Sequence, residues 1–142
     1  MKTVNNFTDY VTAERVAKNY HAVLSLGWKL SPDCLNPKSR YLFLDFDDVT
    51  FESLKYHPDE APTADHIHQI VNFVRSLEPT DKLLVHCFAG HSRSPAATII
   101  ALRERDNLTI YQAKEIIDSY RIPDQYKVEP NDLMLHQYLM IK

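Results

Sequence analysis

Glycine is nearly absent from this chain: Gly27 and Gly90 are the only two in 142 residues. A sequence so sparing with flexible positions offers no linker or low-complexity tract that would divide it. Each glycine therefore invites the question of what backbone shape or close approach it permits. Cysteine is equally scarce, and Cys34 and Cys87 alone cannot make a disulfide framework. No apolar run approaches the length of a membrane-spanning helix, and Met1-Lys2-Thr3-Val4-Asn5-Asn6 does not lead into a secretory h-region. The expected compartment is a reducing cytoplasm, where a cysteine is catalytic or buried rather than bridged. Basic excess is also missing: net charge is -3 and Lys and Arg are scattered. That pattern excludes the broad basic face of a nucleic-acid binder and argues against a membrane partner, so an anionic ligand has to be met at one focused site.

What is present reads as one domain over residues 1–142, with ordinary hydrophobic (44%) and charged (25%) fractions. Residues 7–20 place Tyr10, Ala13, Val16, Ala17 and Tyr20 at helical spacing. Ala22–Leu26 reads as a strand ending at Gly27, and Tyr41–Leu44 as a second strand stopped by Asp45-Phe46-Asp47-Asp48. Thr63 can cap a helix striped by Ile67, Ile70, Val71, Val74 and Leu77. Lys82–His86 is the next strand, and Ser94–Arg105 an almost wholly apolar helix with Pro95 in its first turn. Thr109 and Gln112 have the form of a capping box, before a helix carrying Ala113, Ile116, Ile117 and Tyr120. Asn131 can cap a last helix containing Met134, Leu135, Tyr138 and Leu139. Strands alternating with helices predict an α/β fold, a mostly parallel sheet covered on both faces, with ligands beyond the carboxyl ends of the strands.

The segment Val85-His86-Cys87-Phe88-Ala89-Gly90-His91-Ser92-Arg93-Ser94-Pro95 sits at such an end. A strand end, a short loop and a helix start describe an anion cradle. Backbone N–H groups of Phe88, Ala89, Gly90, His91, Ser92 and Arg93 can turn toward phosphate oxygens, helped by the helix dipole. Arg93 can grip two of those oxygens at once. The same field favours the thiolate of Cys87, which is the nucleophilic form, and Ser94 can donate a hydrogen bond to that sulfur. Cys and Arg alone would read as a buried thiol and a surface cation. The full pattern H-C-x-x-G-x-S-R-S has a chance on the order of one in a hundred thousand at average residue usage.

Over Leu84–Ala97, and more weakly from Tyr41 to about Leu139, the sequence resembles the protein tyrosine phosphatase superfamily, nearest its small dual-specificity and bacterial or phage members. The resemblance implies Cys87 as nucleophile, Arg93 as phosphate ligand, His86 as a brace of the loop, Ser94 as an aid to hydrolysis, and no metal or other cofactor. It also implies an aspartic general acid. Asp45, Asp47, Asp48 and Asp59 are candidates. Asp48 and Asp59 lie 39 and 28 residues before Cys87, on either side of the spacing usual in related phosphatases. Phe46-Asp47-Asp48-Val49 resembles the acid loop of the small bacterial members, which favours Asp48 and leaves Asp47 and Asp59 open.

The implied substrate is a phosphorylated protein or a small phosphate ester. Phosphotyrosine-only and dual specificity are not separated, no aryl-stacking tyrosine loop is evident, and oligomeric state is not readable. The competing readings are a pseudophosphatase that grips phosphorylated ligands without turnover and an arsenate-reducing or sulfur-transfer enzyme needing Cys34. His57, Asp59, Asp65, His66 and His68 resemble a metal cluster, but His66 and His68 do not share a helix face. Asn131 reads as a cap rather than a ligand, in a connection that also holds Tyr126, Lys127 and Pro130. Phe7, Tyr10 and Tyr20 read as core, and His91 as a loop residue pointing outward where a substrate could touch it.

Overall fold

Apolar runs without alternation belong to strands covered on both faces, and that is where the two most apolar ones lie. In the computed structural model, which describes residues 2–119 and 128–141, Ala22–Leu26 is buried throughout. Its neighbour Lys82–His86 is buried at every position but the first. Numbered along the chain, the strands are β1 (Val4–Thr8), β2 (Ala22–Leu26), β3 (Arg40–Leu44) and β4 (Lys82–His86). Among the described residues they form one sheet in the order β1-β4-β2-β3, every pairing parallel.

Alternate residues of the central strands face opposite layers. Leu24, Leu26, Leu83 and Val85 join the larger core under α2 (Ala64–Arg75), α3 (Arg93–Asp106), α4 (Ile110–Ser119) and α5 (Asp132–Ile141). Val23 and Leu84 face Ala13 of α1 (Tyr10–Val16), together with Ala17 and Leu30. The sheet is thus covered on both sides, as the pattern of elements predicts. Helix α3 is apolar almost all round because it touches the sheet and the helices α2, α4 and α5 together, so every residue from Arg93 to Leu102 is buried.

The caps read from the sequence form. The Thr63 hydroxyl accepts from His66 N–H while His66 Nδ1 accepts from Thr63 N–H. Thr109 and Gln112 exchange the equivalent pair of bonds. Asn131 Oδ1 accepts from Met134 N–H at 2.8 Å. Tyr120, Tyr126 and Lys127 lie outside the described residues.

The N-terminal reading needs correction. Residues 7–20 are not one helix: Phe7 and Thr8 end the edge strand β1, Asp9 caps α1 with its carboxylate on Thr12 N–H, and Ala17–Asn19 is a separate 3-10 turn. Strand β1 is hidden in the sequence because its inward position is polar. Asn5 is 1% exposed and is satisfied by donating to Thr3 Oγ1 and accepting from Arg105 Nη1. A buried amide with partners removes the apolar alternation by which a strand is recognised.

All four strands point the same way, so their carboxyl ends meet at one edge. That edge gathers Asp9, Gly27, the Asp45–Asp48 run and Cys87.

Candidate active site

The loop from Cys87 to Arg93 joins β4 to α3 and is fixed from several directions. The Phe88 carbonyl accepts from Tyr10 N–H at 3.0 Å, at the start of α1. Gly90 has φ +77°, and a Cβ there would lie 3.0 Å from the Thr8 carbonyl carbon and the Asp9 nitrogen. The second glycine of the chain is therefore explained twice over, by its left-handed backbone and by the strand–helix junction pressed against it. On the other side, the carbonyls of His91 and Ser92 accept from the N–H groups of Glu129 (2.9 Å) and Asn131 (3.0 Å).

Inside the loop, Cys87 is 3% exposed. Its sulfur accepts from Gly90 N–H at 3.3 Å and lies 3.3 Å from Ser94 Oγ. The Arg93 guanidinium is turned back toward the same edge, where Nη1 donates to the Phe46 carbonyl at 2.8 Å. Arg93 is 7% exposed, yet its Nε is buried without a hydrogen-bond partner. A buried guanidinium N–H left unpaired is costly unless an anion takes it. Thiol and hydroxyl meet at Cys87, and the guanidinium lies at the same carboxyl edge of the sheet, against Phe46 and Gly27.

Gly27 makes that position of Arg93 possible. A Cβ on Gly27, which has φ +80°, would sit 2.1 Å from Arg93 Nη1 and 2.9 Å from the Phe46 carbonyl oxygen. Both glycines of the chain thus serve this edge of the sheet. Their scarcity pointed there; the role of Gly27 required the fold to be seen.

Behind the cysteine, His86 is fully buried and its protonation follows by counting hydrogens. Tyr41 Oη accepts from Leu30 N–H and donates to Ser25 Oγ at 2.8 Å. The Cys87 carbonyl, 3.2 Å from His86 Nδ1, can only accept, so Nδ1 carries the ring proton. Nε2 of the neutral ring then accepts from the Ser25 hydroxyl, 2.5 Å away. Burial pushes the imidazole below its ordinary range and the nearby Arg93 cation adds to this, against the Cys87 carbonyl bond. A neutral ring oriented this way holds the first peptide of the loop, and nothing in its contacts gives it a proton to transfer. Ser25 and Tyr41 carried no sequence signal for this task.

Of the acid candidates, Asp48 is the one bonded to the loop. Its Oδ1 accepts from Ser92 Oγ at 2.6 Å and from Asn131 Nδ2 at 2.8 Å. Asn131 also donates to the Val49 carbonyl at 3.0 Å. Asn131 is thus the helix cap that the sequence indicates and, through its other end, a clamp on the Asp48–Val49 segment. Asp47 uses its backbone N–H on the Glu60 carbonyl at 2.7 Å, so the 3-10 turn holding Asp59 (Pro58–Glu60) packs beside the same loop. His91 is half-buried rather than projecting, and lines a polar cleft with Asp48, Glu52 and Glu129. Cys34 is partly exposed, in the 3-10 turn Pro32–Cys34. His66 is occupied as a capping group, its ring 4.9 Å from that of Phe46.

No family model matches the chain, and no curated protein matches it in sequence. Solved structures do match. Tk-PTP in its active form superposes with a TM-score of 0.64 at 19% identity, over 95% of this chain and 88% of that one. Human DUSP28, in a variant form, gives 0.69 at 19% identity, over 94% and 86%. This is the fold of the tyrosine and dual-specificity phosphatases. The Yvh1 phosphatase domain from Chaetomium thermophilum shares it as well, with a TM-score of 0.63 at 23% identity over 94% and 87%. Within the phosphatase fold, the Cys87–Arg93 loop occupies the carboxyl edge of the parallel sheet, the position at which open α/β sheets bind ligands.

Proposed function

We propose that the protein is a cysteine-dependent phosphomonoesterase of the protein-tyrosine or dual-specificity kind. The observation that carries this reading is the convergence at Cys87. One buried sulfur lies 3.3 Å from both a backbone nitrogen and a serine hydroxyl oxygen, and at the same edge of the sheet is a buried arginine whose Nε has no partner.

A phosphate monoester would place its oxygens on the loop N–H groups and on Arg93. The Cys87 thiolate attacks phosphorus in line with the ester oxygen; the S–P bond forms as the P–O bond breaks, and the leaving oxygen takes a proton from Asp48. Both hydrogen bonds to Asp48 fall on Oδ1, so the transferable proton belongs on Oδ2. Water then gives a proton to the Asp48 carboxylate and attacks phosphorus. The P–S bond breaks, inorganic phosphate leaves, and the departing thiolate is stabilised by the Ser94 hydroxyl. Positioning and charge stabilisation supply most of what phosphoryl transfer needs.

The test is hydrolysis of an aryl phosphate in the presence of a chelator, wild type beside Cys87→Ser. Turnover by wild type that disappears in the variant is the expected result. A folded wild-type protein that binds phosphopeptides without turnover would instead make it a phosphoprotein-binding module.

A further inference from the structure

We infer that His66, in its neutral form, is a positioning residue for the anion site: through Phe46 it holds the carbonyl on which Arg93 rests, so that a proton gained by His66 weakens oxyanion binding at Arg93. The inference rests on the phosphatase reading above and adds a control by pH to the same site.

The start of α2 fixes which ring nitrogen lacks a hydrogen. Thr63 N–H can only donate, and it lies 3.0 Å from His66 Nδ1. Nδ1 therefore accepts, and the one hydrogen of the neutral ring sits on Nε2. The Thr63 hydroxyl accepts in return from His66 N–H at 3.2 Å. Glutamate or glutamine is the usual partner at this position of a capping box. Neither changes charge near neutral pH, whereas histidine does. A proton on Nδ1 sets two hydrogens face to face and takes the acceptor away from Thr63 N–H. The Thr63 hydroxyl, 3.1 Å from Nδ1, can receive the new hydrogen, but only as the ring turns from the Thr63 N–H. The charge also falls at a helix N-terminus, where the dipole opposes a cation.

The other face of the ring connects this cap to the site. His66 packs on Phe46 with ring centroids 4.9 Å apart and planes tilted by 32°. Phe46 is 2% exposed, and its carbonyl accepts from Arg93 Nη1 at 2.8 Å. Little slack surrounds that carbonyl. The next residue, Asp47, is tied by its N–H to the Glu60 carbonyl at 2.7 Å, and a Cβ on Gly27 would meet the Phe46 oxygen at 2.9 Å. Close-packed interiors transmit displacement rather than absorb it. A ring that turns at the cap therefore shifts the carbonyl under the guanidinium.

The charges acting on the imidazole are Asp65, on its own helix, and Asp45, beside Phe46. Burial opposes the cation and outweighs both carboxylates, which favour it, so the ring titrates below its ordinary 6.5. The contact from α5 at this corner is neutral, Gln137 Nε2 donating to the Pro62 carbonyl at 2.8 Å. The ring is thus neutral at neutral pH, and acidification releases the cap.

Sulfate stays a dianion wherever histidine titrates, so it probes the site without titrating itself. Its binding to Cys87→Ser protein, which lacks the thiol's own titration, is measured by calorimetry from about pH 7.5 to about pH 5. The same is done with His66→Gln and His66→Ala added to that parent. His66→Gln keeps a capping acceptor that gains no proton, and His66→Ala has none. At the upper pH the parent and His66→Gln should bind alike, and His66→Ala about fivefold more weakly, the value of a helix cap. On acidification the parent should fall to the His66→Ala level while His66→Gln does not. With Cys87 intact, kcat/KM on an aryl phosphate should show the same divergence between wild type and His66→Gln.

Simple attraction predicts the opposite sign, since a cation gained near an anion site tightens binding. Parallel curves for the parent and His66→Gln, or tighter binding by the parent at low pH, would overturn the inference. The expected divergence in sulfate affinity, in a protein that turns over no phosphate ester, would defeat the phosphatase reading and leave the coupling standing. Sulfate binding by none of the three proteins would remove the coupling, whatever turnover shows.

Discussion

Two loops face each other at the carboxyl edge of the sheet, and they are held by different means. The Cys87–Arg93 loop is continuous with regular elements at both ends, β4 and α3, and distant segments hold it through its backbone, Tyr10, Glu129 and Asn131 donating their N–H groups to its carbonyls. The Asp45–Val49 loop is tied down mainly by side chains: Arg93 on the Phe46 carbonyl, Ser92 and Asn131 on Asp48, and Asn131 again on the Val49 carbonyl. The first is a rigid seat; the second is brought to it by side chains of that seat and of the cap of α5. If the proposed function holds, a site built this way can lose the Asp48 carboxylate while keeping its anion cradle, and the reverse is much harder.

The largest expected effect sharpens that contrast. Asp48→Asn should cut kcat about a thousandfold on phenyl phosphate and much less on a nitrophenyl ester, whose leaving group needs little protonation. Affinity for inorganic phosphate should barely change. If Asp48→Asn turned over both esters like wild type, the division of labour between the loops would be refuted, and Asp47 and Asp59 would be the residues to replace next.

Next comes the seat itself. Gly27→Ala puts a methyl group where Arg93 Nη1 lies, 2.1 Å from the new carbon, on a backbone that already favours glycine. The guanidinium must leave the Phe46 carbonyl, which should lower kcat/KM about a hundredfold and weaken inhibition by phosphate, since misplacements near an ångström have that effect. Unchanged phosphate inhibition would show that Arg93 has another way to sit.

These two residues also show how far the sequence could be read. The Cys87 loop is legible because all its parts lie within Val85–Pro95, where residue type and spacing alone imply the chemistry. Asp48 was one of several candidates because its decisive partners, Ser92 and Asn131, lie 44 and 83 residues away in the chain. Gly27 was noticed for its rarity, but its reason is a guanidinium contributed by another element. Helices with a clean apolar stripe or a local capping pair, such as α2 and α4, were readable for the same local reason as the Cys87 loop. Strand β1 was not, since its inward residue is Asn5, whose partner Arg105 lies at the far end of α3.

A smaller effect separates the two roles of Asn131. Asn131→Asp keeps an oxygen to cap α5 but loses the donor to Asp48 and sets two carboxylates together. Catalysis should fall about tenfold, the value of a charge-assisted hydrogen bond, with little loss of thermal stability. Asn131→Ala should lose both, with about 1 kcal/mol of stability gone with the cap. If the two variants were equally unstable, the clamp on Asp48 could not be distinguished from the cap.

The smallest effect concerns stability against pH. His86 is held neutral in the folded protein, its pKa lowered from 6.5 chiefly by burial. The unfolded chain takes up this proton first, so folding weakens as pH falls below about 6.5 and the site contributes no pH dependence above it. His66 is shifted in the same direction, again mainly by burial. Urea midpoints should therefore drop on mild acidification, and less so in His86→Asn. An unchanged slope in that variant would mean that His86 titrates alike in the folded and unfolded chains.

The central claim is that phosphate passes through the Cys87 sulfur, and its most direct test is to catch it there. Wild type and Asp48→Asn are mixed with an activated aryl phosphate, quenched in acid within the first turnovers, and digested for mass analysis. The account predicts one added phosphoryl group on the peptide carrying Cys87, none in Cys87→Ser, and a bond that survives acid but is lost to a competing thiol or iodine. Rapid turnover with Cys87 unmodified at every quench time, or a phosphoryl group on any other residue, would contradict it.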